Sequence, residues 1–285
     1  IRGLTLKGGS SGIAVQGASR SNLVDACRIY SNTAGIVDGV GAKRNRYVNS
    51  AVFRNTTGVL VRGPTAVFSN MRVFAQGGNG FRVTNGATNR LVRNVIYSNA
   101  LVGVLIQSGT NNLVLNNTIF RQVQQGIHIQ SGYTNRVFNN IMQSNGFEGI
   151  WDIGFGSVIR YNDSHGNSDN FIPLALSNTF GNNTAKALFS NSAATNFRIR
   201  TNTCPALDSG TTNGLTQYDG TPIVGGGRDM GAYEASFGFA LFSGPTGIGT
   251  GVYISSTSLG DLDGDGDLDL VVTGQDAVAV RHLDR

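Results

Sequence analysis

Helical periodicity, proline, cysteine and long hydrophobic runs are all scarce in this sequence of 285 residues. No stretch repeats apolar residues at the 3.6-residue helical spacing, which excludes a mainly helical protein. No run of 18 apolar residues occurs, so the sequence contains no candidate membrane-spanning helix. Proline occurs five times, mostly after residue 158, whereas glycine occurs 40 times. This composition indicates a turn-rich β protein whose first half is the more regular.

Acidic residues are nearly missing from the first half of the chain. Residues 1–150 contain 15 Lys and Arg but only three acids, Asp25, Asp38 and Glu148, while the remainder contains 7 Lys and Arg and 14 acids. The basic half could attract a polyanion such as acidic polysaccharide, anionic lipid or nucleic acid. Alternatively, the arginines could keep a repetitive β surface soluble and block edge pairing. The sequence leaves both interpretations open.

What the sequence has in abundance is a repeat of about 23 residues. Glycine followed by an apolar strand recurs seven times, at positions 12, 35, 58, 80, 103, 126 and 149. Each repeat holds short β-branched strands bounded by Gly, Asn, Ser and Thr, and is too short to bury its own hydrophobic face. Successive repeats must therefore stack, which predicts an all-β, single-stranded parallel solenoid.

Two further rows share this period. Asn94, Asn117 and Asn140 predict amides that pair along the stack. The aromatic row runs from Tyr30 to Phe120 and predicts either an exposed platform or rings that stack on each other beneath turns. We expect the glycine row to lie at a bend that needs its conformational freedom.

This pattern resembles the right-handed parallel β-helix family with the pectin-lyase-like fold, over residues 1–157 and more loosely to residue 200. The resemblance implies the fold rather than an activity, because the family includes lyases, hydrolases, epimerases, tailspikes and adhesins. The Asn-Thr-Asp and Gly-His-Gly motifs of polygalacturonase-like members are missing. No Gly-x-Ser-x-Gly motif occurs, and the three histidines lack a metal-binding spacing.

The region after residue 186 is similar to the closing segment of many secreted bacterial β-helix proteins. Its four motifs begin at Ala187, Asn196, Cys204 and Arg228, with Cys204, Asn196 and Met230 replacing the usual Ser, Asp and Ile. The resemblance implies a cap over the last coil. We divide the chain into a β-helix at 1–200, a C-terminal cap at 201–236 and a further domain at 237–285.

The strand that follows each glycine predicts a functional face. Alternation directs the first residue after Gly inward and the second outward, which gives an outward row ending in Arg82, Leu105, His128 and Trp151. We expect Arg82, His128, Gln130 and Trp151 to bind substrate, because an exposed indole suits the apolar face of a sugar. Alternatively, residues 165–180 cover Trp151. His128, Glu148 and Asp152 are the candidate catalytic residues, since the two carboxylates flank Gly149 and glycosidases use such pairs.

A carboxylate-rich loop near the C-terminus predicts a calcium site. Oxygen ligands at alternate positions, with glycines 264 and 266 between them, can wrap one hard cation. The loop resembles the FG-GAP/VCBS repeat of integrin-like β-propellers and implies a partial calcium-binding blade with a strand at 270–273. The resemblance implies a backbone carbonyl ligand from Asp267. It implies side-chain ligands from four residues: Asp261, Asp263, Asp265 and Asp269.

Three functions follow from these observations. The first is a secreted or cell-surface bacterial protein, monomeric or trimeric, that binds polysaccharide or another surface polyanion. The second is a polysaccharide lyase, hydrolase or epimerase acting on an acidic glycan, and the third is a passive spacer. Nucleic acid is not the expected partner, and Ca²⁺ is the expected cofactor. Titratable groups lining a groove would favour the enzyme, whereas a flat basic face would favour the binding protein.

Overall fold

The computed structural model describes residues 1–173, 179–199, 204–211 and 228–233, and the backbone of three strands between 254 and 282. These residues fall into two compact units, Ile1–Glu234 and Ala235–Arg285. The first unit is a solenoid whose coils each contribute three short strands. Its solenoid strands are β1 (Thr5–Lys7), β2 (Ser11–Val15), β3 (Leu23–Asp25), β4 (Arg28–Tyr30), β5 (Ala34–Asp38), β6 (Arg46–Val48), β7 (Ala51–Phe53), β8 (Thr57–Val61), β9 (Val67–Ser69), β10 (Arg72–Phe74), β11 (Phe81–Val83), β12 (Arg90–Val92), β13 (Val95–Tyr97), β14 (Val104–Ile106), β15 (Leu113–Leu115), β16 (Thr118–Phe120), β17 (Ile127–Ile129), β18 (Arg136–Phe138), β19 (Ile141–Gln143), β20 (Ile150–Asp152), β21 (Val158–Arg160), β22 (Asp163–His165), β23 (Phe171–Pro173) and β24 (Thr179–Phe180).

The strands form three parallel sheets that run the length of the solenoid. Sheet 1 has the order β1-β4-β7-β10-β13-β16-β19-β22, sheet 2 the order β2-β5-β8-β11-β14-β17-β20-β23, and sheet 3 the order β3-β6-β9-β12-β15-β18-β21-β24. Each strand pairs with the equivalent strand of the next coil, so that Leu105 aligns with His128 and His128 with Trp151. The predicted parallel β-helix, with about seven coils of about 23 residues, is therefore confirmed.

The core is a column of apolar side chains enclosed by the three sheets. Sheets 1 and 3 each direct the middle residue of a strand inward, as Ile96 and Leu91 show, and both are fully buried. In β11, β14, β17 and β20 of sheet 2 the two outer residues point inward, so Val104 and Ile106 are buried while Leu105 between them is partly exposed. Because each inward residue stacks on its equivalent one coil away, the core extends without interruption.

The corners between the sheets are formed by single residues with positive φ that are mostly not glycine. Arg93, Asn116 and Asn139, for example, occupy one corner of successive coils with φ between 52° and 56°. The seven repeat glycines do not have positive φ, which corrects our expectation that they supply freedom at a bend. Instead they leave room: a Cβ at Gly103 would lie 2.6 Å from the Gly126 carbonyl oxygen and 2.7 Å from Ile119.

Buried amides follow the corners in three ladders. The predicted ladder is confirmed, since the Asn94 Nδ2 and the Asn117 Nδ2 each donate to the next Asn Oδ1 at 2.9 Å. The same Oδ1 atoms also accept from the backbone N–H of the preceding Asn. Two equivalent ladders, absent from the sequence-based prediction, pass through Asn112 and through Asn99. These bonds satisfy corner backbone groups that the strands leave unpaired.

The described parts of the closing segment (residues 187–234) pack along the side of the solenoid. They include strands β25 (Phe189–Asn191) and β26 (Asn196–Ile199), which form an antiparallel pair. The Ala232 N–H donates to the Thr118 Oγ1 at 3.0 Å, and the Asn116 Nδ2 donates to the Asp229 carbonyl at 3.0 Å. The described contacts lie on the outer surface near sheets 1 and 3, and the cap over the last coil stays a prediction.

The second unit is described only by its backbone. Strands β27 (Ile254–Gly260), β28 (Asp269–Gly274) and β29 (Ala277–His282) form an antiparallel sheet in the order β27-β28-β29. The strand predicted at 270–273 lies within β28.

Candidate functional site

The outer face of sheet 2 carries the predicted row of outward residues. In β17 the flanking Ile127 and Ile129 are fully buried, so His128 between them is directed to the surface. One coil on, Trp151 occupies the aligned position. The imidazole and indole rings stack, with centroids 4.4 Å apart and planes 9° apart. The predicted adjacency of His128 and Trp151 is therefore present, and part of Trp151 stays exposed.

The second face of the Trp151 indole looks along the solenoid toward β23. Ile172 is aligned with Trp151 there and is 39% exposed. The described part of the 165–180 segment thus borders Trp151 as one more strand and does not cover it. The imidazole therefore occupies one face of the indole, and the Trp151 side chain stays partly exposed.

The His128 imidazole is partly removed from solvent. Burial lowers the pKa of the imidazole below its ordinary value of 6.5, while the nearby Glu148 carboxylate acts in the opposite direction. The Nε2 atom is buried and has no hydrogen-bond partner among the described residues. Glu148 is held by the Gln125 Nε2, which donates to its Oε2 at 2.8 Å. At neutral pH this site therefore presents a neutral imidazole beside an anchored carboxylate.

Asp152 lies on the opposite side of the β20 backbone from Trp151. Its carboxylate points into the solenoid, where Oδ1 accepts from the Gly154 N–H at 2.9 Å and from the Ser157 hydroxyl at 3.3 Å. Burial raises its pKa above the ordinary value of 3.8. Asp152 and Glu148 therefore do not meet on one face, because strand alternation separates Asp152 from the outward row.

Arg82 lies on the same face, two coils before His128. Its Nε and Nη2 both donate to the Gln107 Oε1, at 3.0 and 2.7 Å. Leu105 is the residue between Arg82 and His128 in the row. Gln130 directly follows β17 and is exposed at the start of the turn toward sheet 3. The structure thus places Arg82, His128, Gln130 and Trp151 on one side of the solenoid.

An exposed aromatic pair on the adjoining turn was missed by the sequence analysis. Tyr133 and Phe155 are 60% and 61% exposed, and their rings stack with centroids 5.8 Å apart. Their backbones form a bridge between adjacent coils. Ile153, which is 41% exposed, lies between Trp151 and Phe155 in the chain. The 22-residue spacing of Tyr133 and Phe155 was the signal that could have found them.

The predicted calcium loop cannot be described in the same way. Asp261, Asp263, Asp265 and Asp267 lie outside the described residues, and Asp269 begins β28, whose backbone alone is described. Among the residues that the structure does describe, no group of three or more His, Cys, Asp or Glu could hold a metal ion. The described chain also contains no helix long and apolar enough to cross a membrane.

The fold and the repeat together define the class of protein. Residues 1–169 match the family described as the right-handed β-helix region, and the chain therefore belongs to that family. No curated protein sequence matches the chain.

Solved structures share this architecture at low sequence identity. The chain is similar to the periplasmic alginate epimerase AlgG, with 15% identity and a TM-score of 0.53, over 64% of this chain and 50% of the epimerase. It is also similar to the pectate lyase Pel9A, with 14% identity and a TM-score of 0.51, over 81% of this chain and 69% of the lyase. The chain thus spans about half the length of the epimerase, and these likenesses show the fold alone.

Proposed function

We propose that this protein binds polysaccharide on the outer face of sheet 2 and the turn beside it. The observation that carries the proposal is the pair of exposed rings, Tyr133 and Phe155, beside the His128–Trp151 stack. Exposed aromatic rings pack against the apolar faces of sugars, and a rigid solenoid presents them without a conformational cost on binding. Gln130 and the Arg82–Gln107 pair add hydrogen-bonding groups to the same face.

Two similar structures support a polysaccharide as the ligand class, because they are an alginate epimerase and a pectate lyase. The periplasmic location of the epimerase also supports our expectation of a secreted or cell-surface protein. A monomeric or trimeric state stays a prediction.

Binding is favoured over glycoside hydrolysis by the placement of the carboxylates. Hydrolysis needs two carboxyl groups on opposite sides of one glycosidic bond, and Asp152 is turned into the solenoid, away from Glu148. A lyase or epimerase is the second candidate, because a neutral His128 can accept a proton. Release of unsaturated sugar ends from alginate or polygalacturonate would detect a lyase, and a change in uronate composition would detect an epimerase.

The binding proposal is tested by titrating alginate, polygalacturonate and a neutral glucan into the protein by calorimetry. We expect the double variant Tyr133→Ala/Phe155→Ala to weaken binding of the preferred polymer about tenfold, since losing two ring contacts costs about 1–2 kcal/mol. The control is Phe180→Ala, which removes a ring that is 63% exposed on sheet 3. Equal weakening by both variants, or none by either, would contradict the proposal.

We also propose that Ca²⁺ organises the loop from residue 259 to residue 272. The chemistry of the donor set fits this ion, because carboxylates at 261, 263, 265, 267 and 269 alternate with Leu or Gly. Five carboxylates in one short loop would repel each other without a cation. Calcium titration by calorimetry tests the proposal, and the absence of binding at millimolar ion would contradict it.

A further inference from the structure

The outer face of sheet 1 carries a ladder of stacked aromatic rings. Tyr30, Phe53, Phe74 and Tyr97 belong to successive coils, and adjacent ring centroids lie 4.8, 5.1 and 4.7 Å apart with nearly parallel planes. Because each ring face is covered by the ring of the next coil, the ladder presents ring edges to solvent. Ring edges carry partial positive charge, whereas ring faces carry partial negative charge.

Basic side chains line this ladder. The Lys7 Nζ lies 6.0 Å from the Tyr30 ring centroid, and the Arg28 Cζ lies 5.8 Å from that of Phe53. The Arg72 Cζ lies 5.9 Å from the Phe74 centroid. These distances place the three cationic groups directly alongside the stacked rings.

Arg54 adds a fourth cation at the corner directly after Phe53. It is exposed, as are Lys7, Arg28 and Arg72. We call these four residues the basic strip. Their positive charges follow the long axis of the solenoid, where neighbouring coils are separated by about 4.8 Å.

The nearby acids do not neutralise the basic strip. Asp25 and Asp38 are the only acidic residues in the first 147 positions. Asp38 is fully buried inside the solenoid, where its Oδ1 accepts from Asn45 and Tyr47. Asp25 is paired with Arg2, whose Nε lies 3.1 Å from its Oδ2. Among the described residues, neither of these two acids offsets the positive charge of the strip.

The closing segment marks where the strip ends. Phe197 packs on Tyr97 and Phe120, with ring centroids 5.5 and 5.2 Å away, and both of those rings are buried. The Arg72 Nη2 donates to the Thr195 Oγ1 at 3.0 Å at the boundary. Tyr30, Phe53 and Phe74 stay partly exposed. Among the described residues, the closing segment thus covers the Tyr97 and Phe120 end of the face through apolar contacts and leaves the Tyr30 to Phe74 end open and cationic.

From this geometry we propose that the basic strip binds an acidic polysaccharide lengthwise, through carboxylate or sulfate groups spaced along the chain. Cations and ring edges both attract anions, and their regular file suits a polymer with charges at intervals. The stacked rings offer no free face to a nucleobase, which disfavours single-stranded nucleic acid. They offer no protruding apolar group to a membrane, which disfavours a lipid surface. This surface is separate from the face of sheet 2, so the proposal does not depend on the function proposed above.

A charge-matched pair of variants tests the strip. The variant Arg28→Gln/Arg54→Gln removes two charges from it, and the control Arg46→Gln/Arg136→Gln removes two exposed charges from sheet 3. Binding is measured by calorimetry at low salt to polygalacturonate, dextran sulfate, single-stranded DNA and phosphatidylserine vesicles, after circular dichroism has shown that both variants fold. We expect the strip variant to weaken binding to polygalacturonate or dextran sulfate about tenfold, with a smaller salt dependence, and the control to weaken it less than about threefold.

The outcomes separate the possibilities. Preference for polygalacturonate assigns carboxylate, and preference for dextran sulfate assigns sulfate, as the recognised group. Equal weakening by both variants, or no binding to either polysaccharide, contradicts the proposal that the basic strip is a binding site. Tighter, strip-dependent binding to DNA or vesicles overturns the polysaccharide assignment. If only Tyr133→Ala/Phe155→Ala weakens polyanion binding, the strip fails while the function proposed for sheet 2 stands.

Discussion

Replacing Asp163 with Asn should make the protein more stable at alkaline pH. Asp163 begins β22, where it aligns with Ile141 of the preceding coil and forms a backbone bridge with Asn183. Its side chain is fully buried, and neither carboxylate oxygen has a hydrogen-bond partner among the described residues. Burial raises its pKa from the ordinary 3.8 to about 7. The cause is desolvation, which disfavours the ionised form.

The size of the effect follows from proton linkage. The folded state keeps a proton that the unfolded state releases as pH rises from about 4 to about 7, so stability falls across this interval and then levels off. A tenfold change in proton affinity corresponds to about 1.4 kcal/mol, so the full change from 3.8 to about 7 corresponds to about 4 kcal/mol. Water entry and local relaxation reduce this cost, and we expect about 2–4 kcal/mol. Asn is similar in shape and cannot ionise.

Urea unfolding at pH 4.5 and pH 8 measures the difference. Trp151 is the only tryptophan in the chain and lies on β20, two strands before β22 in sequence, so its fluorescence reports on this end of the solenoid. We expect Asp163→Asn to gain stability at pH 8 and to change little at pH 4.5. The control Asp169→Asn changes an exposed carboxylate and should behave like the parent protein at both pH values. A parent and an Asp163→Asn variant with the same pH dependence would refute the reasoning.

Two further predictions concern the glycine row and the calcium loop. Gly126→Ala should destabilise the solenoid by about 1–3 kcal/mol in the same urea assay, because its Cβ would lie 2.6 Å from the Gly149 carbonyl oxygen. The control is Gly77→Ala, whose Cβ would have no neighbour closer than 3.7 Å. Calcium chelation should accelerate amide exchange after about residue 240 and leave residues 90–157 protected, and Asp263→Ala/Asp265→Ala should reproduce this with calcium present. Unchanged exchange on chelation would contradict the calcium prediction.

The fold was predictable because the same physical requirement recurs in every coil. A strand of one coil must bury an apolar side chain at the same place as the strand before it, so position 127 repeats position 104 and the period is visible in one sequence. The steric reason for the repeat glycines was not visible in the sequence. It depends on the distance between a glycine and the carbonyl of the next coil, which sequence spacing does not contain.

The candidate site was predictable only where strand alternation applies. Alternation placed His128 and Trp151 on one outer face, and carried one residue further it would have placed Asp152 inside the solenoid. Tyr133 and Phe155 lie in turns, where no alternation rule decides which way a side chain points. Their pairing depends on the turns of two coils having similar paths.

Packing constrains the inward side chains of the solenoid more strongly than the outward ones. An inward residue such as Ile119 is fully buried among neighbours in the adjacent coils, so its size and polarity are fixed by packing. An outward residue such as Arg28 contacts one ring and solvent, and can change with little effect on the column beneath it. A solenoid can therefore carry an aromatic surface on sheet 2 and a cationic one on sheet 1 without altering its core. For the same reason, the periodicity that identifies the fold contains little information about the ligand, and the chemistry of the outward rows has to be examined face by face.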